Sequence, residues 1–231
     1  SEYNVITKNY GDVRVHTYLS GNISPVVVEN DKLVIIDIPG GADTALFSQF
    51  ILNLGKPIDR IIISHSDADH WVGISELFPN VPLYSTAADA IKATDNGSAL
   101  SITAVDDGVH TYADVRYEFQ TDNTIGAYVI KLPDQKAVYF DHLGYIGLHI
   151  ILPPLESRFE IMKDLQKDGY TWFMAGHGVP LEAPQFNAQV ESYFGDVLAA
   201  IAGNTTPTGA SAEIITKYPN YYNEDLLNSL L

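Results

Sequence analysis

The polar stretch Ser64-His65-Ser66-Asp67-Ala68-Asp69-His70-Trp71 directly follows the apolar run Ile61-Ile62-Ile63. Such a short β-branched run, apolar on both faces, predicts a strand buried between layers. Placing so many polar groups at its end is costly unless something binds them. Imidazole nitrogens and carboxylate oxygens both reach a metal at about 2.0–2.2 Å, which indicates one or two cations held by His65, Asp67, Asp69 and His70. The alternative is an exposed polar turn whose Asp residues cap a helix.

Two more clusters of metal-competent residues stand in the same position relative to apolar strands. Asp141-His142 follows the run 137–140, and His177 in Gly176-His177-Gly178 follows the run 172–174. Taken alone, His177 suits a surface loop and Asp141 a strand-end cap. The ends of neighbouring strands lie at one edge of a sheet, so side chains that follow them can lie close together. Three such clusters together therefore favour a metal site. Either Asp141 or His142 could be the residue of this cluster that faces the metal.

Period-two alternation, helical spacing and turn residues divide the chain into strands and helices. Strands are predicted at residues 13–20, 25–28, 33–36, 61–63, 83–84, 102–105, 115–119, 128–132, 137–140 and 172–174. Helices are predicted at residues 42–54, 87–93, 157–168, 184–202, 213–217 and 224–231, with a loop at 203–209. Without a fixed repeat or a long linker, we expect a single domain over 1–231 with a C-terminal helical extension from about 203 to 231.

Composition excludes several classes of protein. The 231 residues carry 13 basic and 29 acidic side chains, a formal charge of −16, and no Cys. Scattered Lys and Arg in so acidic a chain argue against a nucleic-acid partner, and no stretch is apolar enough to predict a membrane span. Any metal has to be held without thiolates. We expect a soluble protein, cytoplasmic or exported after removal of a leader, and leave a homo-oligomer open.

The order and spacing of these motifs resemble the metallo-β-lactamase-fold superfamily, whose signature is His-x-His-x-Asp-His after a buried strand. The signature here reads His65-x-Asp67-x-Asp69-His70. The run 33–40 looks like the family's early strand and Asp-turn, and the run 175–178 looks like its Gly-His-Gly loop. The resemblance covers most of residues 10–200. It implies an α/β protein with a four-layer αββα sandwich in a single domain.

Three departures from the family pattern affect the implied metal ligands. The second His of the signature is Asp67, a further metal His looks like Asn123, and Phe140 stands where a Gly usually precedes Asp141. The resemblance implies one firm site, for zinc, from Asp69, His70 and His177 with Asp141 beside it. The second site, with His65 and Asp67, is then weak, filled by a hard cation such as Mn or Fe, or empty.

The activity that the resemblance implies is metal-dependent hydrolysis. Zinc lowers the pKa of bound water toward about 7, and the hydroxide then attacks a carbonyl or phosphoryl centre. Asp69 is the predicted catalytic residue, orienting the water or carrying its proton. Trp71 and Tyr145 are predicted to contact a small ester, lactone or amide, with core packing or a subunit contact as the alternative. A pseudoenzyme or binding protein, and a di-iron oxidoreductase, are the competing classes.

Overall fold

The computed structural model describes residues 3–122 and 127–231. Two sheets form its centre, and in both of them neighbouring strands follow one another along the chain. The first sheet contains β1 (Val5–Tyr10), β2 (Val13–Tyr18), β3 (Val26–Glu29), β4 (Leu33–Ile36), β5 (Ile58–Ile62), β6 (Leu83–Thr86) and β7 (Ile102–Val105). The second contains β8 (Gly108–Tyr112), β9 (Val115–Asp122), β10 (Ala127–Leu132), β11 (Ala137–Asp141), β12 (Trp172–Ala175) and β13 (Leu181–Glu182). Pairing is parallel from β4 to β7 and between β11 and β12.

Helices cover the outer face of each sheet. They are α1 (Asp43–Leu54), α2 (Ile74–Leu77), α3 (Ala87–Asp95), α4 (Leu155–Lys167), α5 (Ala183–Phe186), α6 (Ser192–Gly203), α7 (Pro207–Lys217) and α8 (Glu224–Leu230). A 3-10 turn spans Ala68–His70, and a π-helical segment, Asn187–Glu191, joins α5 to α6.

The alternation of side chains along the strands separates three apolar cores. In β3, Val26 and Val28 pack between the two sheets, whereas Val27 packs with Phe47 and Phe50 of α1. In β11, Tyr139 points between the sheets, and its neighbours join the core beneath α4 and α6. Helices, sheet, sheet and helices therefore form four layers. The αββα sandwich predicted from the sequence is confirmed.

Several local predictions were incomplete or wrong. The edge strands β1, β8 and β13 were not predicted, because little of their sequence is continuously apolar and their pairing depends on a neighbouring strand. The predicted loop at 203–209 is partly helical, since α7 begins at Pro207. The Thr206 hydroxyl caps that helix by accepting a hydrogen bond from the N–H of Gly209 at 3.1 Å.

The C-terminal segment is tied to the loop that follows β11. Ala210, Ile214 and Leu227 lie in the same core as α4 and α6. The N–H of Tyr222 donates to the carbonyl of Gly147 at 3.0 Å, and the N–H of His149 donates to the carbonyl of Tyr222 at 2.8 Å. The segment thereby holds a loop that starts at one of the predicted site clusters.

His149, on this loop, is expected to make stability depend on pH. It is buried, with Nδ1 3.0 Å from the Tyr193 hydroxyl and its ring against Tyr221, and burial lowers its pKa. The nearby Glu224 carboxylate opposes that shift without reversing it. The unfolded chain, with a His pKa of about 6.5, takes up a proton that the folded chain resists. The free energy of unfolding should therefore fall as the pH drops below about 6.5.

Urea unfolding at pH 7.5 and pH 5.5 checks this expectation. The loss of stability between the two pH values should be smaller in His149→Asn than in the wild type, because the variant has one histidine fewer to titrate. An equal loss in both proteins would contradict the assignment.

Among the described residues, no helix is long and apolar enough to span a membrane.

Candidate metal centre

The ends of β4 and β5 bring a buried carboxylate next to a buried imidazole. Asp37 follows β4 in a left-handed backbone conformation (φ 66°) and is fully buried. Its Oδ1 accepts from the N–H of Ser64 at 2.8 Å, and its Oδ2 accepts from the hydroxyls of Ser64 (2.5 Å) and Tyr139 (2.9 Å). The same Oδ2 lies 2.8 Å from Nδ1 of His70. Asp37 therefore fixes the orientation of the His70 ring.

The other nitrogen of His70 has no partner in the part of the chain that the structure describes. Nε2 is buried without a hydrogen bond, and Asp69 Oδ1 lies 3.6 Å from it. Burial disfavours the imidazolium form, but the Asp37 carboxylate, together with those of Asp141 and Asp69, outweighs burial and raises the pKa of His70 to about 10. A buried imidazole with one nitrogen anchored on a carboxylate and the other free has the form of a protein metal ligand.

Two groups of three side chains bring their ligand atoms within 4.8 Å of one another. One group is Asp69, His70 and His177, and the other is His65, His70 and His142. His70 belongs to both. The first group joins the 3-10 turn after β5 to the loop after β12, which lie 107 residues apart in the chain. The donor set, imidazole with carboxylate and without thiolate, fits a divalent ion such as zinc.

Asp141 and His142 lie at the end of β11, where the strand register shifts. Such a bulge re-aims the side chains beyond it. His142 Nδ1 is 3.2 Å from Asp141 Oδ1, and the Asp141 carboxylate is buried. Burial opposes charge on both groups, but their mutual attraction raises the pKa of His142 and lowers that of Asp141. The two therefore form a buried ion pair beside His70.

His177 is anchored by a loop that precedes β3. Its Nδ1 lies 3.1 Å from the carbonyl of Asn22, and the Asn22 side-chain amide donates to Asp69 Oδ2 at 3.3 Å. Burial lowers the pKa of His177, so its imidazole is favoured in the neutral form that binds metals. Asn22 thus positions two of the three residues in the first group.

The other predicted site residues lie in different surroundings. The Asp67 side chain is 62 % exposed, 3.4 Å from His65 Nδ1, and belongs to neither group. Trp71 is buried in the core under α1, where its indole N–H donates to the carbonyl of Ser66 at 2.9 Å, as the core-packing alternative describes. The Tyr145 ring lies 5.7 Å from that of His142. Asn123 lies outside the described residues.

The roles of Asp37 and Asn22 are not apparent from the sequence alone. Asp37 was noted only as part of an Asp-turn, although an acidic residue directly after an apolar strand is itself a signal for a buried partner. Asn22 positions His177 through its backbone carbonyl, which any residue type provides, and Asp69 through its side-chain amide. No motif around Asn22 marks either contact.

Gly176 makes room for the Asp141 carboxylate. A Cβ on Gly176 would collide with Asp141 Oδ1, whereas a Cβ on Gly203 meets nothing within 4 Å. We expect Gly176→Ala to lose about 1–3 kcal/mol of unfolding free energy because the buried carboxylate has to move. Gly203→Ala, the matched control, should be neutral or slightly stabilising. Chemical denaturation measures both, and equal stabilities would contradict the expected collision.

Solved structures show which fold this chain has. A metallo-β-lactamase from Pontibacter korlensis is 18 % identical with a TM-score of 0.63, over 80 % of this chain and 96 % of that one. The FIM-1 metallo-β-lactamase from Pseudomonas aeruginosa, in its mono-zinc form, is 18 % identical with a TM-score of 0.62, over 79 % and 92 %. TMB-1 is 18 % identical with a TM-score of 0.62, over 87 % and 99 %. The chain has the metallo-β-lactamase fold.

No protein-family model matches the chain, and no curated protein matches it in sequence.

Proposed function

We propose that this protein is a metal-dependent hydrolase of small esters, lactones or amides. The observation that carries the proposal is the buried, unpartnered Nε2 of His70, which shares one small space with Asp69 and His177. Leaving a buried polar nitrogen without a partner is costly, and an ion bound there removes the cost. The fold is shared with metallo-β-lactamases, one of which was solved in a mono-zinc form.

Zinc is the ion that we propose, held by ligands from the predicted set. Asp69, His70 and His177 are the proposed principal ligands, while His65, Asp67 and Asp141 are proposed to act at a weaker second position or around the first. Exposed Asp67 is the weakest member of the set. Bound zinc would lower the pKa of water toward about 7 and so supply hydroxide at neutral pH.

Side chains of this protein are proposed to orient the attacking water and to accept its proton. Asp69 Oδ1 faces His70, while its Oδ2 is held by Asn22, so the carboxylate is fixed beside the proposed ion. We propose that Asp69 orients the attacking water and accepts its proton. Tyr145, whose ring lies 6.5 Å from that of His177, is the proposed substrate contact. Trp71 is proposed to pack beneath the segment that carries Asp69 and His70, and to contact substrate only with the edge of its indole ring.

Charge favours a neutral or weakly charged substrate. The chain has a formal charge of −16, and no Lys belongs to the contacts described around the proposed ion. A phosphodiester would meet the carboxylates of Asp69 and Asp141, and the buried Arg158 guanidinium nearby is already engaged by the backbone carbonyl of His142 at 2.6 Å. Small carbonyl substrates avoid this repulsion.

Elemental analysis together with a substrate panel tests the proposal. The purified chain, loaded with Zn²⁺ and dialysed, should retain about one zinc and hydrolyse at least one p-nitrophenyl ester, lactone or β-lactam. Asp69→Asn should lower kcat by at least about 100-fold, the usual contribution of a proton-transferring residue. A chain that binds no metal would support a pseudoenzyme or binding protein instead, and two irons per chain would support a redox role.

A further inference from the structure

Two imidazole nitrogens at the centre of the site stand unusually close together. His142 Nε2 is 3.3 Å from His177 Nε2. Two nitrogens that each lie about 2.0–2.1 Å from one tetrahedral zinc ion are separated by about 3.3 Å. The spacing of this pair is therefore that of two ligands of a single ion.

The second nitrogen of each ring is already engaged with an oxygen. His177 Nδ1 faces the carbonyl of Asn22 at 3.1 Å, and His142 Nδ1 faces Asp141 Oδ1 at 3.2 Å. A carbonyl or carboxylate partner at Nδ1 keeps the proton there and leaves the lone pair of Nε2 free. Apart from the one proton that the 3.3 Å contact between them requires, both Nε2 atoms are thus available to a metal, which would displace that proton on binding.

The His65 ring differs from these two. Its Nδ1 accepts a hydrogen bond from the backbone N–H of Asp67 at 3.2 Å, so in the neutral ring the proton resides on Nε2. His65 is suited to donate a hydrogen bond toward the centre, and it does not present a free Nε2. The His142 ring lies 4.3 Å from the His65 ring and 5.4 Å from the His70 ring. The imidazole that directly follows β11 therefore lies next to the rings of both His65 and His70.

We propose that His142 is a metal ligand, paired with His177 on one ion, and that Asp141 acts as its positioning residue. This inference rests on the proposed function. The Asp141 carboxylate is packed against Gly176, and its Oδ1 lies within ion-pair distance of His142 Nδ1, an arrangement that orients His142. His70 belongs to both groups of ligand atoms, and its Nδ1 is engaged by Asp37, so only Nε2 is free to bind. The proposal therefore concerns one ion, around which His65 and Asp141 act as a hydrogen-bond donor and a positioning residue.

Zinc affinity measured by chelator competition tests the assignment. His142→Ala should weaken Zn²⁺ binding at least about 100-fold, as His177→Ala should. Asp141→Asn should weaken it by about 10–100-fold, the range found for partners of a ligand. His110→Ala, which removes a histidine bonded to a loop carbonyl elsewhere, is the control and should bind as the wild type does.

Co²⁺ substitution adds a readout that does not depend on activity. The visible spectrum of Co²⁺-loaded His142→Ala should change in position and intensity because one nitrogen ligand is lost, whereas that of Asp141→Asn should stay close to the wild type. Circular dichroism and thermal unfolding of each metal-free variant confirm that it has folded. If His142→Ala misfolds, the Nε2 chemical shift of His142 during Zn²⁺ titration of the wild type provides the same test.

The outcomes separate this inference from the proposed function. If His142→Ala binds Zn²⁺ as the wild type does while His177→Ala does not, His142 is not a ligand, although a metal enzyme remains. Loss of binding in Asp141→Asn equal to that in His177→Ala, with His142→Ala unaffected, would make Asp141 the ligand. A wild type that binds neither Zn²⁺ nor Co²⁺ would overturn both proposals.

Discussion

His177→Ala is expected to lose zinc and hydrolytic activity together while keeping its fold. The side chain is partly exposed at a loop, so its removal leaves little buried space. It supplies one of three ligand atoms in the group with Asp69 and His70. Removing a ligand should cost more than the factor of about 10–100 found for residues that only position ligands, so Zn²⁺ affinity should fall at least about 100-fold.

His70→Ala should show the same loss of metal with an added loss of stability. The substitution leaves the buried Asp37 carboxylate without its imidazole, and breaking such a buried pair costs about 3–5 kcal/mol. Zinc content after dialysis, and urea unfolding of the metal-free proteins, measure the two effects separately. Full zinc content in both His70→Ala and His177→Ala would show that the ligand assignment is wrong.

The second large effect is expected from Asp37→Asn, a change of a single atom in the core. Asn tolerates the left-handed backbone of position 37 well, so the substitution leaves the chain path undisturbed. Its amide nitrogen, however, replaces an oxygen that accepts from the hydroxyls of Ser64 and Tyr139 and contacts His70 Nδ1. A donor now faces His70 Nδ1, which favours the tautomer with its proton on Nε2.

That tautomer has no free Nε2 lone pair for the ion. We expect Asp37→Asn to weaken Zn²⁺ binding by about 10–100-fold and to destabilise the metal-free protein by about 1–3 kcal/mol. Nitrogen chemical shifts of His70 in the metal-free variant report the tautomer directly. The control is Asp134→Asn, a substitution of an exposed Asp paired with Arg116 on the surface, which should leave zinc affinity unchanged. An unaltered His70 tautomer in Asp37→Asn would refute the positioning role of Asp37.

The sequence predicts the layers of the fold well because burial on two faces leaves a distinct pattern. Val26-Val27-Val28 alternates between two different cores, and a continuously apolar run is what such a central strand requires. Edge strands such as β1 carry no comparable pattern, since one side is exposed and only pairing with β2 specifies them. The loop predicted at 203–209 was partly wrong because a stretch rich in Gly, Thr and Pro is typical of a loop, although Pro is also the favoured first residue of a helix.

The sequence predicts which residues of the candidate site follow apolar strands, but not how their side chains are oriented. Asp69, His70 and His177 each follow an apolar strand, and parallel or neighbouring strands bring such ends together. The choice between Asp141 and His142 depends on a register shift at the end of β11, which no sequence pattern specifies. The contact of His177 with the carbonyl of Asn22 depends on backbone placement alone.

X-ray absorption at the zinc edge, on the wild-type protein loaded with one equivalent of Zn²⁺, tests the central claim most directly. The account predicts one zinc per chain with three or four nitrogen and oxygen neighbours at about 2.0–2.1 Å and the outer-shell scattering of at least two imidazoles. A spectrum with oxygen neighbours only, or the same spectrum in His177→Ala, would contradict it.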